Sequence, residues 1–277
     1  MFSFIILHYN NIDETIECLM NLKKIANDDT HFIVVDNNTL SDKEIKLIKT
    51  FTKDIVLLDK NYGFAKANNR GIEYAKKKYK SKFYIVINND VFITQKDFLS
   101  IIEDDYKEYS FDMLGPSIDS PTKESVNPFP VFKTKEQIQK EIDKCHKLIN
   151  IYNSSFKTEL LNIYLKVKHI FNRPVKPVNG KEKETGVALH GCAVVFSDKY
   201  IKKYTYPFYN ETFLFHEEEF LYHRMIKDNL VSLYDPKLNV FHKEGSSMKK
   251  KNKNVRLSKL FREQERLKSL ELLIKEI

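Results

Sequence analysis

Glycine is scarce in this chain, with seven residues in 277. That excludes a glycine-rich phosphate cradle. Neither the dinucleotide pattern G-x-G-x-x-G nor the ATP-type loop G-x-x-x-x-G-K-[ST] occurs. Any phosphate must be held by other means, and a metal ion is the obvious one. Cysteine is scarce too. Cys18, Cys145 and Cys192 are far apart and odd in number, so neither a disulfide framework nor a zinc pattern is expected. A cytoplasmic setting follows as the simplest expectation. No apolar run approaches the ~20 residues that span a bilayer. The opening Met1-Phe2-Ser3-Phe4-Ile5-Ile6-Leu7 carries no basic leader and is expected to be a first strand, not a signal peptide. Aromatic residues do not interleave with the basic cluster near the end, so stacking on a single nucleic-acid strand is not expected.

What is present is a chain with 42% hydrophobic residues and a net charge of +8. The apolar content suits one large domain with a full core, with or without a small appendage. Part of the charge is local, in Lys243, Lys249, Lys250, Lys251, Lys253 and Arg256. Such a cluster serves an anionic lipid surface, a phosphorylated ligand or plain solvation.

The pattern over residues 1–118 alternates strand and helix. Strands are expected at Phe2–Leu7, His31–Asp36, Ile55–Leu58, Phe83–Ile87 and Met113–Ile118. Helices are expected from Ile12, from Ser41 (an N-cap, with Glu44 completing a capping box), over Phe64–Lys78 and from Gln95. That order implies parallel pairing with right-handed crossovers and a nucleotide-binding type of α/β half. The pattern then changes. Pro121, Pro128 and Pro130 mark irregular chain, and Lys133 to Phe171 holds two amphipathic helices broken at Asn153-Ser154-Ser155. Residues 121–185 are expected to be a helical insertion over the open face of the sheet. Regular structure resumes over 186–247. Here we expect a long strand at Val187–Phe196, a helix ending near Lys227, and two short strands at Val231–Tyr234 and Val240–His242. Residues 248–277 form a basic tail ending in an amphipathic helix.

Three groups carry chemistry. The strand at Phe83–Ile87 stops at Asn88-Asn89-Asp90, at a carboxyl end where ligands bind in open α/β sheets. Asp90 is a hard oxygen ligand suited to a divalent cation carrying a phosphorylated substrate. Glu217-Glu218-Glu219 opens a helix behind Phe213 and Phe215. Each acid there complements the helix dipole, and one of them, desolvated, is a candidate general base. His242 ends a short apolar run and pairs with Asp90 as a one-carboxylate, one-imidazole site that fits Mn²⁺ or Mg²⁺ better than a structural zinc. His8, His190 and His216 compete with it.

Taken together and in order, these segments resemble the inverting nucleotide-sugar glycosyltransferases of family 2, with the GT-A fold, and within them the rhamnosyltransferase-like branch of bacterial surface polysaccharide synthesis. Ile5-Ile6-Leu7-His8-Tyr9-Asn10-Asn11 resembles the family's first strand and turn. Val34-Val35-Asp36-Asn37-Asn38-Thr39 resembles its second strand end. Asn61-Tyr62-Gly63-Phe64-Ala65-Lys66-Ala67-Asn68-Asn69-Arg70-Gly71 follows the branch pattern N-x-G-F-A-x-x-N-N-x-G. Asn88-Asn89-Asp90 stands at the D-x-D position. Leu189-His190-Gly191-Cys192 resembles the acceptor-side segment L-x-G-A, Phe213 to Glu218 the segment F-x-x-x-E-D, and Val240 to Ser247 the segment V-x-H-x-x-G-x-S. Two departures stand out: Asn88 replaces the first acid of D-x-D, and Glu217-Glu218 replaces Glu-Asp.

The resemblance implies an α/β fold of GT-A type, a single mostly parallel Rossmann-like sheet flanked by helices. It implies Tyr9, Asp36, Gly63, Asn68, Asn69, Asn88 and Asn89 on the donor side, His190 and Gly191 on the acceptor side, and Asp90 and His242 on Mn²⁺ or Mg²⁺. Glu218 is the base, with Glu217 beside it and Glu219 available if the register slips by one. The implied partners are a UDP- or dTDP-sugar donor and a glycan or lipid-linked acceptor, with no nucleic acid. The tail either meets the anionic inner face of the plasma membrane or packs on its own domain or a second subunit, as in a homodimer. Rival readings are a nucleotide-sugar-binding protein without transferase activity and a nucleotidyltransferase.

Overall fold

The computed structural model describes residues 1–121, 127–171, 180–243 and 255–277. Lys249, Lys250, Lys251 and Lys253, and the proline-rich stretch at 173–177, lie outside the described residues. So does the end of the motif that begins at Val240.

The amino-terminal half builds as its periodicity dictates. β1 (Phe2–His8), β2 (Thr30–Asp36), β3 (Asp54–Leu57) and β4 (Phe83–Asn88) alternate with α1 (Ile12–Leu22), α2 (Asp42–Ile48) and α3 (Gly63–Lys78). All pair in parallel, in the spatial order β3-β2-β1-β4. Their continuous apolar runs follow from burial on both faces. Phe4, Ile6, Ile85 and Ile87 enter one core layer with Leu19 and Leu22 of α1. Ile5, Val35 and Val86 enter the opposite layer with Ala67 and Ile72 of α3. The capping box at Ser41 is present, with the hydroxyl accepting from the Glu44 N–H and the Glu44 carboxylate accepting from the Ser41 N–H.

The remaining strands are β5 (Val91–Phe92), β6 (Met113–Asp119), β7 (Glu184–Thr185), β8 (Ala193–Ser197) and β9 (Ser232–His242). They extend the same sheet through β8, β6, β9 and β5, with β7 on β9. β8 runs antiparallel to both β4 and β6, β6 and β9 are parallel, and β5 runs antiparallel to β9. The sheet is therefore mixed, with its parallel pairs concentrated in the amino-terminal half.

Two expected elements differ. Residues 187–192 are not strand: their backbone groups go to side chains and loops. Phe129 N–H donates to the Ala188 carbonyl at 2.7 Å, and His190 N–H donates to Asn127 Oδ1 at 2.7 Å. Conversely, the two short strands at the end are one. β9 runs unbroken from Ser232 to His242, and its pairing with β6 jumps from Pro116↔Asp235 to Ser117↔Asn239. The residues skipped include Pro236, which has no N–H to give to a ladder, so a bulge is where it fits.

The helices α4 (Phe98–Tyr109) and α7 (Asp198–Lys203) flank the sheet, and α8 (Glu217–Lys227) leads into β9. The insertion forms α5 (Lys135–Tyr152) and α6 (Ser155–Phe171), broken where the sequence indicates, and the final helix is α9 (Val255–Glu276). Ile138, Ile142 and Cys145 of α5 pack with Leu270 and Leu273 of α9 and Phe220 of α8. Arg266 of α9 meets Glu141 of α5 at 3.1 Å and Glu263 at 2.9 Å. Insertion and terminal helix thus share a small core that also holds the helix bearing the acidic triplet. Among the described residues, no helix is long and apolar enough to cross a membrane.

Candidate active site

β1, β2 and β4 end side by side, with His8 in register with Asp36 and Leu7 with Asn88. Leaving β4, the chain turns through Asn89 and Asp90 into β5, where Val91 pairs with His242 of β9. Lys243 N–H closes the turn on the Asp90 carbonyl at 3.0 Å. This pairing brings together two side chains that are remote in sequence: Asp90 Oδ1 lies 3.2 Å from His242 Nε2, and both residues are buried.

His190 comes next, its ring 6.1 Å from that of His242. Its Nδ1 accepts from the Cys192 N–H at 3.1 Å. Its backbone is fixed by Asn127, whose amide also donates to the Pro116 carbonyl at 2.7 Å. Asn127 falls in what the sequence marks only as irregular, proline-punctuated chain. The N–H of Gly191 donates to Glu218 Oε1 at 2.9 Å, and a Cβ on Gly191 would sit 3.0 Å from that oxygen. Asp90, His242, His190, Gly191 and Glu218 therefore form one connected series, in which the acceptor-side segment bridges the proposed metal pair and the proposed base.

The three acids of α8 have different surroundings. Glu219 is buried 3.2 Å from His216 Nδ1. Glu218 is half-buried against Gly191. Glu217 is buried, and its Oε1 has no hydrogen-bond partner among the described residues. Burial, and then the charge of Glu218, push the Glu217 carboxyl up to about 8. Folding therefore favours its protonated form. Below the ordinary carboxyl value neither state is charged and nothing is lost. As pH rises from there to about 8, the unfolded chain ionises first and stability falls. We expect Glu217→Gln to melt higher than the parent at about pH 8 but close to it at about pH 4, because the amide removes the titration. Equal melting differences at both pH values would show that Glu217 ionises normally.

The groups assigned to the donor side divide. Tyr9 and Asn88 are half-buried at the strand ends. Asp36 is buried, and its Oδ1 accepts from the Thr39 and Leu40 N–H groups at 2.9 and 3.3 Å, which closes the turn after β2. Asn37, in the segment that resembles the family's second strand end, clamps the turn before α3: its Nδ2 donates to the Gly63 carbonyl at 2.9 Å and its Oδ1 accepts from the Tyr62 N–H at 2.8 Å. Asn69 has its amide spent on the fold, donating to the Phe208 carbonyl at 3.0 Å and accepting from the Phe208 N–H at 2.9 Å. Asn89 is buried, and its Nδ2 donates to Thr15 Oγ1 at 2.9 Å. Asn68 donates to the Phe64 carbonyl at 3.1 Å, while its Oδ1 is buried with no partner among the described residues. Gly63 has φ +78° and faces the Phe213 carbonyl. Of the competing histidines, His8 is held by Thr15 Oγ1 at 2.6 Å and His216 lies against Glu219.

Asp90 and His242 suit a divalent cation. Two ligands ~2.1 Å from an octahedral ion and at right angles to each other lie ~3 Å apart, close to the 3.2 Å observed. Among the described residues no group of three His, Cys, Asp or Glu side chains could hold a metal ion. The pair thus leaves positions for phosphate oxygens and water, which such ions accept. Burial disfavours the charged form of His242, yet its hydrogen bond to Asp90 and the neighbouring Cys192 sulfur outweigh burial and lift its pKa to about 10. Holding a cation requires that proton to leave.

Residues 3–165, more than half of the chain, match the family described as Glycosyl transferase family 2. The chain belongs to this family. No curated protein matches it. Among solved structures, S. aureus TarS 1-349 is similar at TM-score 0.53 and 14% identity, over 87% of this chain and 60% of that one. The same TarS 1-349 in complex with UDP-GlcNAc is similar at TM-score 0.50 and 15% identity, over 91% of this chain and 61% of that one. GalNAc-T7 with UDP, GalNAc and Mn²⁺ is similar at TM-score 0.56 and 10% identity, over 88% of this chain and 44% of that one. The chain thus spans less than two thirds of each of these chains. At such identities the likeness is one of fold, and the fold is the GT-A type.

Proposed function

We propose that the chain is an inverting, metal-dependent glycosyltransferase that moves a sugar from a nucleoside diphosphate to an acceptor hydroxyl. The observation that carries this reading is the connected series from Asp90 and His242 through His190 and Gly191 to Glu218, at the carboxyl edge of the sheet. The donor lies across the ends of β1, β2 and β4, near Tyr9, Asp36 and Asn88. Asp90 and His242 would hold Mn²⁺ or Mg²⁺, whose charge would offset that of the departing nucleoside diphosphate. UDP in two of the similar structures, and Mn²⁺ in one, favour a UDP-sugar and Mn²⁺, with a dTDP-sugar the alternative from the rhamnosyltransferase-like motifs.

Glu218 takes the proton of the acceptor hydroxyl. Its neighbours are poorer bases: Glu217 keeps its own proton at neutral pH, and Glu219 is committed to His216. The hydroxyl oxygen then bonds the anomeric carbon as the bond to the diphosphate oxygen breaks on the opposite face. The configuration inverts without a covalent sugar–enzyme intermediate. Gly191 N–H aims the carboxylate, and His190 beside it faces the acceptor. The product class fitting the motifs is a surface polysaccharide such as a capsule or O-antigen, built on a glycan or lipid-linked acceptor. Transfer and hydrolysis assays with a panel of UDP- and dTDP-sugars test this. We expect turnover with one donor class, product of inverted anomeric configuration, and loss of activity in excess EDTA. Retained configuration, or full turnover in EDTA, would overturn the mechanism.

A further inference from the structure

Over its described side chains, 155–163, α6 leaves a large apolar side uncovered. Phe156, Leu160 and Ile163 are 71%, 52% and 55% exposed. Their spacing of four and three sets them along one side of the helix. Thr158, on another side, is buried, and its hydroxyl donates to the Ile151 and Ser154 carbonyls. The first turns of α9 continue the surface. Arg256 donates to the Tyr152 carbonyl at 2.7 Å and Lys259 to Asn162 Oδ1 at 3.2 Å, which places α9 beside α6. Val255, Leu257 and Phe261 there are 67%, 48% and 44% exposed. Among their described side chains, two neighbouring helices thus leave six large apolar groups exposed, more than scattered surface residues account for.

The charge around them favours an anionic surface. Residues 255–262 hold Arg256, Lys259 and Arg262 and no acid, and Lys157 follows Phe156 on α6. Glu159 is the one acid on α6. Apolar side chains with basic residues among them are the composition of helices that lie in the plane of an anionic membrane. The surface also leads to the catalytic helix. Phe261 meets Phe213 edge-on with ring centroids 6.3 Å apart, and the Arg262 guanidinium lies 5.7 Å from the Phe215 ring centre. Phe213 and Phe215 belong to the loop that enters α8 at Glu217.

We propose that the first turns of α6 and of α9 form a docking face for an anionic membrane, which presents the start of α8 at Glu218 to acceptors carried on lipid. The lipid-linked acceptor rests on the glycosyltransferase reading; the docking face does not. The basic residues favour the membrane over a second, equally basic copy of the chain, and the experiment separates the two.

Co-sedimentation with vesicles of equimolar phosphatidylglycerol and phosphatidylcholine, and with phosphatidylcholine alone, tests the face without donor or acceptor. The whole chain should sediment with the anionic vesicles and not with the neutral ones. Phe156→Ser/Leu160→Ser/Ile163→Ser should weaken partition at least ~10-fold, with unchanged melting and unchanged transfer to a water-soluble acceptor. Lys157→Gln/Arg262→Gln should weaken it roughly 25-fold, since each basic contact with an anionic surface contributes about fivefold. No binding by the parent, or equal binding by the triple variant, overturns the proposal. So does a concentration-dependent dimer that the triple variant abolishes. If vesicle binding holds while no nucleotide-sugar is turned over, it is the catalytic reading that fails.

Discussion

Glu218→Gln should lower transfer by ~10²–10⁴-fold, the usual contribution of a positioned general base, while binding of the nucleoside diphosphate stays at its parent strength. The amide keeps what the carboxylate does for the structure. Its Oε1 can still accept the Gly191 N–H, now found at 2.9 Å, so the acceptor-side loop keeps its place. What it loses is the capacity to take a proton. The loss should therefore appear in kcat and not in the affinity for donor. Glu217→Gln is the internal comparison. Because that carboxyl already holds a proton at neutral pH, its amide should keep most of the activity. A Glu218→Gln enzyme that turns over near the parent rate would place the base elsewhere.

The second large effect should come from Gly63→Ala, a change of one methyl group. A Cβ at this position would lie 2.0 Å from the Phe213 carbonyl oxygen and 2.7 Å from its carbon, and the backbone φ of +78° is strained for any side chain. Phe64 N–H donates to the same carbonyl at 2.8 Å. The methyl group cannot be accommodated by rotating a side chain, because what it meets is backbone. Either the start of α3 or the loop at Phe213 must move. We expect a cost of ~4 kcal/mol, at the upper end for single substitutions, seen as a fall of ~10 °C in melting temperature. Transfer should fall as well, because the displaced loop leads directly into Glu217 and Glu218. A variant that melts with the parent would mean that this contact is looser than described.

Local chemistry made half of this architecture legible. The buried parallel strands announce themselves as apolar runs, and Ser41 with Glu44 marks a helix start that the structure contains. Asp90 and His242 could be paired only by the family's motif order, since their contact depends on β5 lying against the far end of β9. The segment 187–192 has strand composition, yet its backbone is bound by Asn127, Glu218 and the N–H of Phe129, and no short-range pattern reports that. The two short strands expected at Val231–Tyr234 and Val240–His242 are one, with Pro236 absorbed in a bulge. Asn69 sits in the most specific motif of the chain, and the structure spends its amide on Phe208. The motif's residues thus include some that hold the frame of the cleft. Asn37, within the segment that resembles the second strand end, does similar work, and so does Asn127, which lies outside any quoted motif. The packing of α5 on α9 was likewise invisible, because two amphipathic helices remote in sequence do not name their partners.

Calorimetric titration of UDP with Mn²⁺ into the parent and into Asp90→Asn puts the shared cleft to the sharpest test. The asparagine keeps the volume of the side chain and can still hydrogen-bond His242, but it removes the charge that a cation needs. Binding of UDP should require Mn²⁺ in the parent and be lost, or weakened at least ~10-fold, in the variant. Binding of equal strength in both proteins, with or without Mn²⁺, would mean that Asp90 and His242 do not hold the donor's diphosphate, and that the cleft has been assigned to the wrong residues.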